Sequence, residues 1–251
     1  MEQLIEKEQK ARERVCLALD ISDVKKALNY VDELRDYVGI YKVGKELHMA
    51  AGNAGINIID EIYKKGANIF LDLKFHDTPN TVYGASKEGA VSGVIFFNVH
   101  VEGGEEMCKK ALQGAYDGAK ARGLIAPKVI GVTRLTSLSD LDLEAQQLGI
   151  DYDTSVRINT LLAKKWGLDG IVCPANKAGA LETEFGSWLY VTPGIEWAGL
   201  KGAGQKQLYT PDMAVRDCSS SILVVGSAIT KAEDRRAVAY EILQAMAKYV
   251  K

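Results

Sequence analysis

The sequence predicts a (β/α)₈ barrel that forms one domain over residues 1–251, and three observations lead to this fold class. Short, nearly continuous apolar runs, which are typical of buried parallel strands, recur eight times. A helix-prone segment follows each run, and no Pro/Ser-rich linker or block of like charge divides the chain. A doubly wound open sheet is the alternative, but it usually carries GxGxxG after the first strand, whereas LALDISD at 17–23 has no glycine.

The first half of the chain is predicted to hold four strands. Residues 1–14 include a charged, helix-prone segment from residue 2 that is expected to cap the bottom of the barrel. Ser22 is expected to cap the next helix, because its hydroxyl can accept a hydrogen bond from a free amide of the first turn. The other predicted elements are strands at 15–19, at 40–44, from 69 and at 93–99, and a helix at 54–65 capped by Gly66.

The second half repeats the same alternation. Gly123 is expected to end a helix at 105–122, and Thr210-Pro211 is a typical helix start. The remaining predicted elements are strands at 128–132, 170–173, 188–191 and 221–225, helical segments at 138–148, 153–166 and 176–185, and a final helix at 231–251.

Composition and charge exclude several classes of function. A formal net charge of −2 provides no basic field for nucleic acid. The sequence contains no apolar run of about 18 residues, so it predicts no membrane span. Its charged N-terminus does not resemble a signal peptide, and we therefore expect a cytoplasmic protein. The four cysteines lie far apart and the three histidines lack metal-ligand spacing, so neither a disulfide framework nor a bound metal is expected.

One stretch, NIFLDLKFHDTPNT at 68–81, places ionisable side chains in an otherwise apolar strand. In a regular strand Asp72 and Lys74 share one face, and the apolar residues between and beside them share the other. Bare charges inside a barrel cost several kcal/mol unless they are paired. This stretch by itself is compatible with an ion pair that closes the end of the barrel and with a catalytic centre.

The ends of the early strands carry charged residues, whereas the ends of the last two strands are rich in glycine. Lys42 is predicted to point inward, where Lys42, Asp72, Lys74 and Asp77 would form an array in which each charge favours the ionised form of its neighbour. Apolar packing is usually at least as stable, so several buried charges favour function over a structural role. The turns TPGI at 192–195 and VGSA at 225–228 end the last two strands, the usual phosphate site of this fold.

The sequence resembles the orotidine 5′-phosphate decarboxylase family over almost the whole chain from Val15 to the final helix. The motifs that carry the resemblance are LALD at 17–20, YKVG at 41–44, FLDLKFHDTPNTV at 70–82, NVH at 98–100, GVTRLTS at 131–137, VTPGI at 191–195 and VVGSAIT at 224–230. The D-x-K-x-x-D-x-P-x-T spacing is that family's signature. A related sugar-phosphate decarboxylase has a shorter acidic motif and lacks the second aspartate followed by proline.

The resemblance implies decarboxylation of orotidine monophosphate to uridine monophosphate without cofactor or metal, as the last step of pyrimidine nucleotide synthesis. Carried over by position, Lys74 protonates carbon 6 of the pyrimidine as carbon dioxide leaves, and Asp72 lies against the departing carboxylate. Lys42 and Asp77 complete the charge array. The resemblance also implies a homodimer in which Asp77 and Thr81 enter the site of the neighbouring subunit.

The resemblance further implies which residues bind the rest of the nucleotide, and it implies that the segment 196–206 closes over it. These residues are Asp20 and Lys42 for the ribose with help from Thr81, Thr136 for the pyrimidine ring, Gln205 for phosphate and base, and the backbone near Pro193, Gly226 and Ser227 for the phosphate. In the family an arginine normally stands where this sequence has Ser227. Losing such a charge-assisted contact costs about 1.5–3 kcal/mol. Lys201, Lys206 and Arg216 are the candidates for a replacement cation.

Two other functions are considered. A barrel aldolase or isomerase would use Lys74 or Lys42 as a Schiff-base nucleophile, which requires a neutral amine that flanking aspartates disfavour. A catalytically silent nucleotide-binding barrel is suggested only by Ser227, and retention of every charged residue in the array argues against it.

Overall fold

The computed structural model of the protein describes residues 2–195, 197, 209–217 and 221–250. Eight parallel strands pair in sequence order, and the first also pairs with the eighth to close the barrel. The strands are β1 Val15–Ala18, β2 Ile40–Gly44, β3 Asn68–Phe75, β4 Val94–His100, β5 Lys128–Val132, β6 Gly170–Val172, β7 Leu189–Ile195 and β8 Ser221–Val225. The predicted (β/α)₈ barrel is therefore confirmed.

Helices lie between the successive strands, and the N-terminal helix packs against the C-terminal one. In the described part of the chain they are α1 Glu2–Arg12, α2 Val24–Leu34, α3 Lys45–Asn53, α4 Ile58–Lys64, α5 Pro79–Gly89, α6 Gly104–Arg122, α7 Asp140–Ala145, α8 Tyr152–Lys165, α9 Ala175–Phe185, α10 Pro211–Asp217, α11 Ser227–Thr230 and α12 Arg235–Ala247. Among these helices, none is long and apolar enough to cross a membrane.

The start of α2 corrects the predicted cap. Asp23 is the N-cap, and its carboxylate accepts a hydrogen bond from the backbone N–H of Lys26 at 2.9 Å. The Ser22 hydroxyl instead donates to Glu46 at 2.6 Å. The prediction of Ser22 as the cap was wrong, because the carboxylate one residue later reaches the free amide of the first turn.

Two helix predictions were also wrong in their extent. The helix predicted at 54–65 is preceded by α3, which begins directly after β2, and Gly55 with φ 68° lies between α3 and α4. The α3 sequence buries only Leu47 and Ala51, so it has little apolar periodicity to detect. The final helix predicted at 231–251 corresponds to α12 alone, which begins only at Arg235, because the carboxylate of Asp234 caps its first turn.

Apolar side chains fill the barrel interior. They form a cluster separate from the larger core between the strands and the surrounding helices, and its buried members are Cys16, Ala18, Ile40, Phe70, Phe96, Ile130, Val132, Val172, Val191, Ile222 and Val224. The predicted burial of Cys16 and Cys173 is confirmed, and Cys108 is buried as well. The polar residues at the carboxyl ends of the strands lie directly above this apolar interior, which we call the apolar floor.

Candidate active site

Three neighbouring strands carry a polar side chain two residues beyond an apolar residue of the barrel interior. These residues are Lys42 on β2, Asp72 on β3 and Asn98 on β4, and their exposed fractions are 7%, 8% and 1%. Because alternate residues of a strand share a face, all three continue the inward-facing rows above the apolar floor. The barrel therefore buries two formal charges at one end, where they require partners.

Asp72 is the centre of the charged cluster. Its Oδ1 lies 2.6 Å from Nζ of Lys74, and its Oδ2 lies 3.1 Å from Nζ of Lys42. Lys42 Nζ also donates a hydrogen bond to Oδ1 of Asp20 at 2.7 Å. The structure thus brings together four side chains of alternating charge, which we call the charged array: Asp20, Lys42, Asp72 and Lys74.

The ionisation of the buried members follows from their neighbours. Burial acts to raise the pKa of Asp72, but the charges of Lys42 and Lys74 outweigh burial and lower this pKa to about 2. Burial acts to lower the pKa of Lys42, but the carboxylates of Asp72 and Asp20 together raise it above its ordinary value. Both groups are therefore charged at neutral pH, which fixes the electrostatic field of the site.

The strand β3 leaves its regular pairing within the site. Leu71 pairs with Phe97 and Phe75 pairs with Val99, so four residue steps on β3 oppose two on β4. Inside this bulge Lys74 has φ 50°, in the left-handed region that residues other than glycine rarely adopt. The strict alternation predicted for this stretch was therefore wrong beyond residue 72, and a bulge brings the two charged groups of β3 together.

A cavity of about 410 Å³ opens over the charged array. The four members of the array line one side of it, and the ends of β7 and β8 line the other through Pro193, Gly194, Gly226 and Ser227. Lys231, one helical turn beyond Ser227, lines the same cavity. The predicted division between charged strand ends and glycine-rich strand ends is therefore present around one cavity.

A second cavity of about 650 Å³ adjoins the first and shares Pro193 and Gly194 with it. Thr136 lines this second cavity, together with the exposed ion pair of Lys177 and Asp153. No member of the charged array lines this larger cavity. Thr136 therefore lines the adjoining cavity, whereas Lys74 lines the smaller one.

Asp77 and Thr81 do not reach the array within one chain. The exposed carboxylate of Asp77 accepts the backbone N–H of Thr78 at 2.6 Å, and Thr81 Oγ1 lies 3.0 Å from Thr78 Oγ1. In the described part of the chain, Asp77 forms no ion pair with a lysine. The role of Asp77 in the array was predicted across a subunit interface and stays a prediction, whereas Asp20 pairs with Lys42 within the chain.

The predicted phosphate and loop residues have different outcomes. Gln205, Lys201 and Lys206 lie outside the described residues, as does the segment 196–206 apart from Trp197. Arg216 pairs with Asp217 at 3.1 Å and does not line the cavity of the charged array.

Sequence reasoning gave no role to Asn98 or Lys231. Asn98 could have been found, because it lies two residues after an inward-facing phenylalanine, as Asp72 does. Lys231 could not have been found, because its approach to the cavity depends on how the short helix α11 leaves β8. Among the described residues, no group of three or more metal-ligating side chains is suited to hold a metal ion.

The two histidines near the site stack on each other. The rings of His76 and His100 lie 5.2 Å apart at 25°. Burial, and then the adjacent His76, lower the pKa of His100 to about 4, so its imidazole is neutral at pH 7. His100 lines neither of the two cavities described above.

A closed parallel barrel with an ionised lysine–aspartate array at its strand ends and a glycine-lined cavity wall defines a (β/α)₈-barrel enzyme. Residues 13–242 match the model of the family described as orotidine 5′-phosphate decarboxylase / HUMPS. The chain belongs to the orotidine 5′-phosphate decarboxylase family.

Individual relatives agree with this membership. An orotidine 5′-phosphate decarboxylase of Moorella thermoacetica is 38% identical over 92% of this chain and 93% of its own. One of Lactobacillus acidophilus is 40% identical over 92% and 97%. The crystal structure of orotidine 5′-phosphate decarboxylase from Lactobacillus acidophilus superposes with a TM-score of 0.78 at 36% identity, covering 92% of this chain and 98% of that one. An uncharacterized conserved protein from Geobacillus kaustophilus gives 0.75 at 31% identity, with 92% and 99% covered.

Proposed function

We propose that this chain decarboxylates orotidine 5′-phosphate to uridine 5′-phosphate in pyrimidine nucleotide synthesis, using only its own side chains. Family membership supports the substrate and the reaction. The observation that carries the mechanism is the ammonium of Lys74, held 2.6 Å from Asp72 at the wall of the 410 Å³ cavity. Its side chain is 29% exposed, so it is accessible to a bound ligand while its charge partner is buried.

The chemistry requires a cation at the reacting carbon. When carbon dioxide leaves carbon 6, the electron pair of the broken bond remains on that carbon as a vinylic carbanion. A cation that is already oriented stabilises this charge without reorganisation. In the proposed reaction Lys74 supplies that cation, then transfers one N–H proton to carbon 6 and is reprotonated by solvent.

Asp72 and Lys42 keep this cation in position. Asp72 lies between the two lysines and is proposed to face the departing carboxylate of the substrate. Because Lys42 neutralises the second oxygen of Asp72, the carboxylate stays ionised even when buried. Lys42 and Asp20 are proposed to bind the ribose hydroxyls, since their 2.7 Å contact lies at the cavity wall.

Residues of both adjoining cavities are proposed to bind the pyrimidine ring and the phosphate. Thr136 is proposed to contact the pyrimidine ring from the larger cavity. The backbone near Pro193, Gly226 and Ser227 is proposed to bind the phosphate in the smaller one, because glycine-rich strand ends let amide groups approach an anion. Gln205 remains a proposed contact to phosphate and base.

A homodimer would complete the site. Asp77 and Thr81 are exposed, and their side-chain contacts within the described chain are confined to their own turn. Mixing the inactive variants Lys74→Ala and Asp77→Ala is therefore expected to restore activity that neither has alone, because a mixed dimer contains one site with both native residues. No activity above that of the separate variants would count against a shared site.

Ser227 is uncharged and stands where the family normally has an arginine, so the phosphate needs a cation from another residue. Lys231 lines the cavity beside Ser227 and forms no ion pair within the described chain, so we propose that its ammonium binds the phosphate. Lys231→Ala is expected to raise KM about tenfold, and Ser227→Arg to lower it by a similar factor, because each changes one charge-assisted contact. Lys128→Ala is the control, since Lys128 is exposed at the start of β5. An unchanged KM in both test variants would contradict the assignment.

The function is tested by following the loss of absorbance of orotidine 5′-phosphate with the full chain and a metal chelator. We expect turnover that the chelator does not reduce, with uridine 5′-phosphate as product. A protein that is folded but inactive, or that the chelator inactivates, would contradict the proposal. Borohydride is expected to trap no adduct between the protein and a carbonyl substrate. A trapped adduct would instead indicate Schiff-base chemistry.

A further inference from the structure

Asn98 connects both charged residues of the β3 bulge. Its side chain is 1% exposed. Its Oδ1 accepts the backbone N–H of Lys74 at 2.8 Å, and its Nδ2 donates to Oδ1 of Asp72 at 2.7 Å. Only one orientation of the amide satisfies both contacts, because the backbone needs an acceptor and the carboxylate needs a donor.

The backbone contact compensates for the bulge. Between Leu71 and Phe75 the regular pairing of β3 with β4 is interrupted. A bulge leaves backbone groups without ladder partners, and a buried N–H without a partner is unfavourable. Asn98 supplies the acceptor from its side chain. It thereby holds Lys74 at φ 50°, a conformation that persists only where the surroundings fix it.

The side-chain contact fixes the rotation of the carboxylate. Oδ1 of Asp72 receives both Asn98 Nδ2 and Lys74 Nζ, whereas Oδ2 faces Lys42 at 3.1 Å. With Asn98 in place, each oxygen has a separate set of donors. Without it, only the two flexible lysine side chains hold the Asp72 carboxylate, so the direction of the Lys74 ammonium is less strictly fixed.

We propose that Asn98 is a positioning residue for decarboxylation, an inference that rests on the proposed function. It does not reach the cavity itself. It acts by fixing the backbone of Lys74 and the carboxylate plane of Asp72 at once, so that the ammonium is aimed at the carbon where charge develops. Its removal is expected to reduce the rate of the chemical step more than the affinity for nucleotide.

Asn159 provides a matched control. It is another buried asparagine, 7% exposed, and its Nδ2 donates to the backbone oxygen of Thr133 at 2.6 Å. Its contact lies on the neighbouring strand end and touches no member of the charged array. Asn159→Ala therefore removes a buried amide of the same kind without altering the β3 bulge.

The first measurement separates rate from binding in the full chain. Asn98→Ala is expected to lower kcat about 10²-fold, since a small misplacement of a reacting group has effects of that order. The dissociation constant for uridine 5′-phosphate is expected to change by less than about threefold. Asn159→Ala is expected to change kcat by less than about threefold from the native value.

Asn98→Asp gives a pH-dependent readout and preserves the size of the side chain. When the introduced carboxyl is ionised, it accepts from Lys74 but repels Asp72, and when it carries a proton it can donate again. Its kcat relative to the native chain is therefore expected to rise as pH falls, whereas the ratio for Asn98→Ala stays flat. A merely structural role would not produce this difference.

Amide hydrogen exchange at Lys74 tests the contact independently of activity. We expect protection of this amide to be lost in Asn98→Ala and kept in Asn159→Ala. A native chain that does not turn over orotidine 5′-phosphate would refute the proposed function and leave this exchange result as the test of the contact. Native kcat and native protection in a folded Asn98 variant, or equal losses in Asn159→Ala, would overturn the proposal.

Discussion

Replacing Lys74 with alanine is expected to lower kcat by at least about 10⁴-fold while the barrel stays folded. The variant loses the proton donor and the cation that stabilises the carbanion, and each alone typically contributes about 10²-fold or more. The fold is expected to survive because Asp72 keeps its contacts to Lys42 and Asn98 after the change.

Single-turnover decarboxylation and the affinity for uridine 5′-phosphate are the measurements for this variant. Lys65→Ala is a close control, because Lys65 forms a 2.6 Å ion pair with Asp32 and its side chain is 26% exposed, against 2.6 Å and 29% for Lys74. The control is expected to keep native turnover. If the rate of Lys74→Ala stays within about tenfold of the native rate, Lys74 is not the general acid of the reaction.

Replacing Asp72 with alanine is expected to have the largest effect on stability, in addition to loss of turnover. The side chain of Lys42 is 9% exposed, and its ammonium would retain only Asp20 as an ion-pair partner among the described residues. Breaking a buried ion pair by removing one partner costs about 3–5 kcal/mol. Since Asp20 remains, the free energy of unfolding measured with urea is expected to fall by the lower part of this range.

Asp72 also makes the free energy of unfolding depend on pH in the acid range. The pKa of Asp72 is lowered to about 2 in the folded chain, below the usual value of about 3.9 for an unfolded one. A carboxyl with a depressed pKa stabilises the fold above its unfolded pKa and loses this contribution as pH falls through its folded pKa. The difference in unfolding free energy between the native chain and Asp72→Ala is thus expected to be constant above about pH 5 and to shrink toward pH 2.

A difference that stays constant down to pH 2 would show that Asp72 is not held ionised by its lysine partners. His100 also titrates in the acid range, because its pKa is lowered to about 4. It is present in both proteins, so its contribution cancels in the comparison. The measurement therefore isolates the charged array from the rest of the acid response.

The strand pattern predicted the barrel and half of the site. Inward-facing alternation was sufficient for Lys42 and Asp72, since each lies two residues beyond an apolar residue of the interior. It was not sufficient for Lys74, whose approach to Asp72 depends on how many residues of β3 oppose β4. That count is a property of the pairing between strands, which one strand's sequence does not contain.

Other parts of the site depend on geometry farther from their own strand. Asn98 completes the bulge of a neighbouring strand, so its importance follows from a contact between residues 24 and 26 positions apart. Asp77 and Thr81 were predicted for a site shared between subunits, and a single chain leaves them exposed. The resemblance supplied these residues, whereas the periodicity of the sequence did not.

The exchange of the carbon 6 hydrogen of uridine 5′-phosphate in heavy water tests whether Lys74 is the proton donor to this carbon. By microscopic reversibility, a lysine that donates a proton to this carbon must also remove one, so product and solvent should exchange at the site. Exchange is expected with the native chain and with Lys65→Ala, and its near-complete loss is expected in Lys74→Ala. Equal exchange with and without the Lys74 ammonium would contradict the role of Lys74 as proton donor.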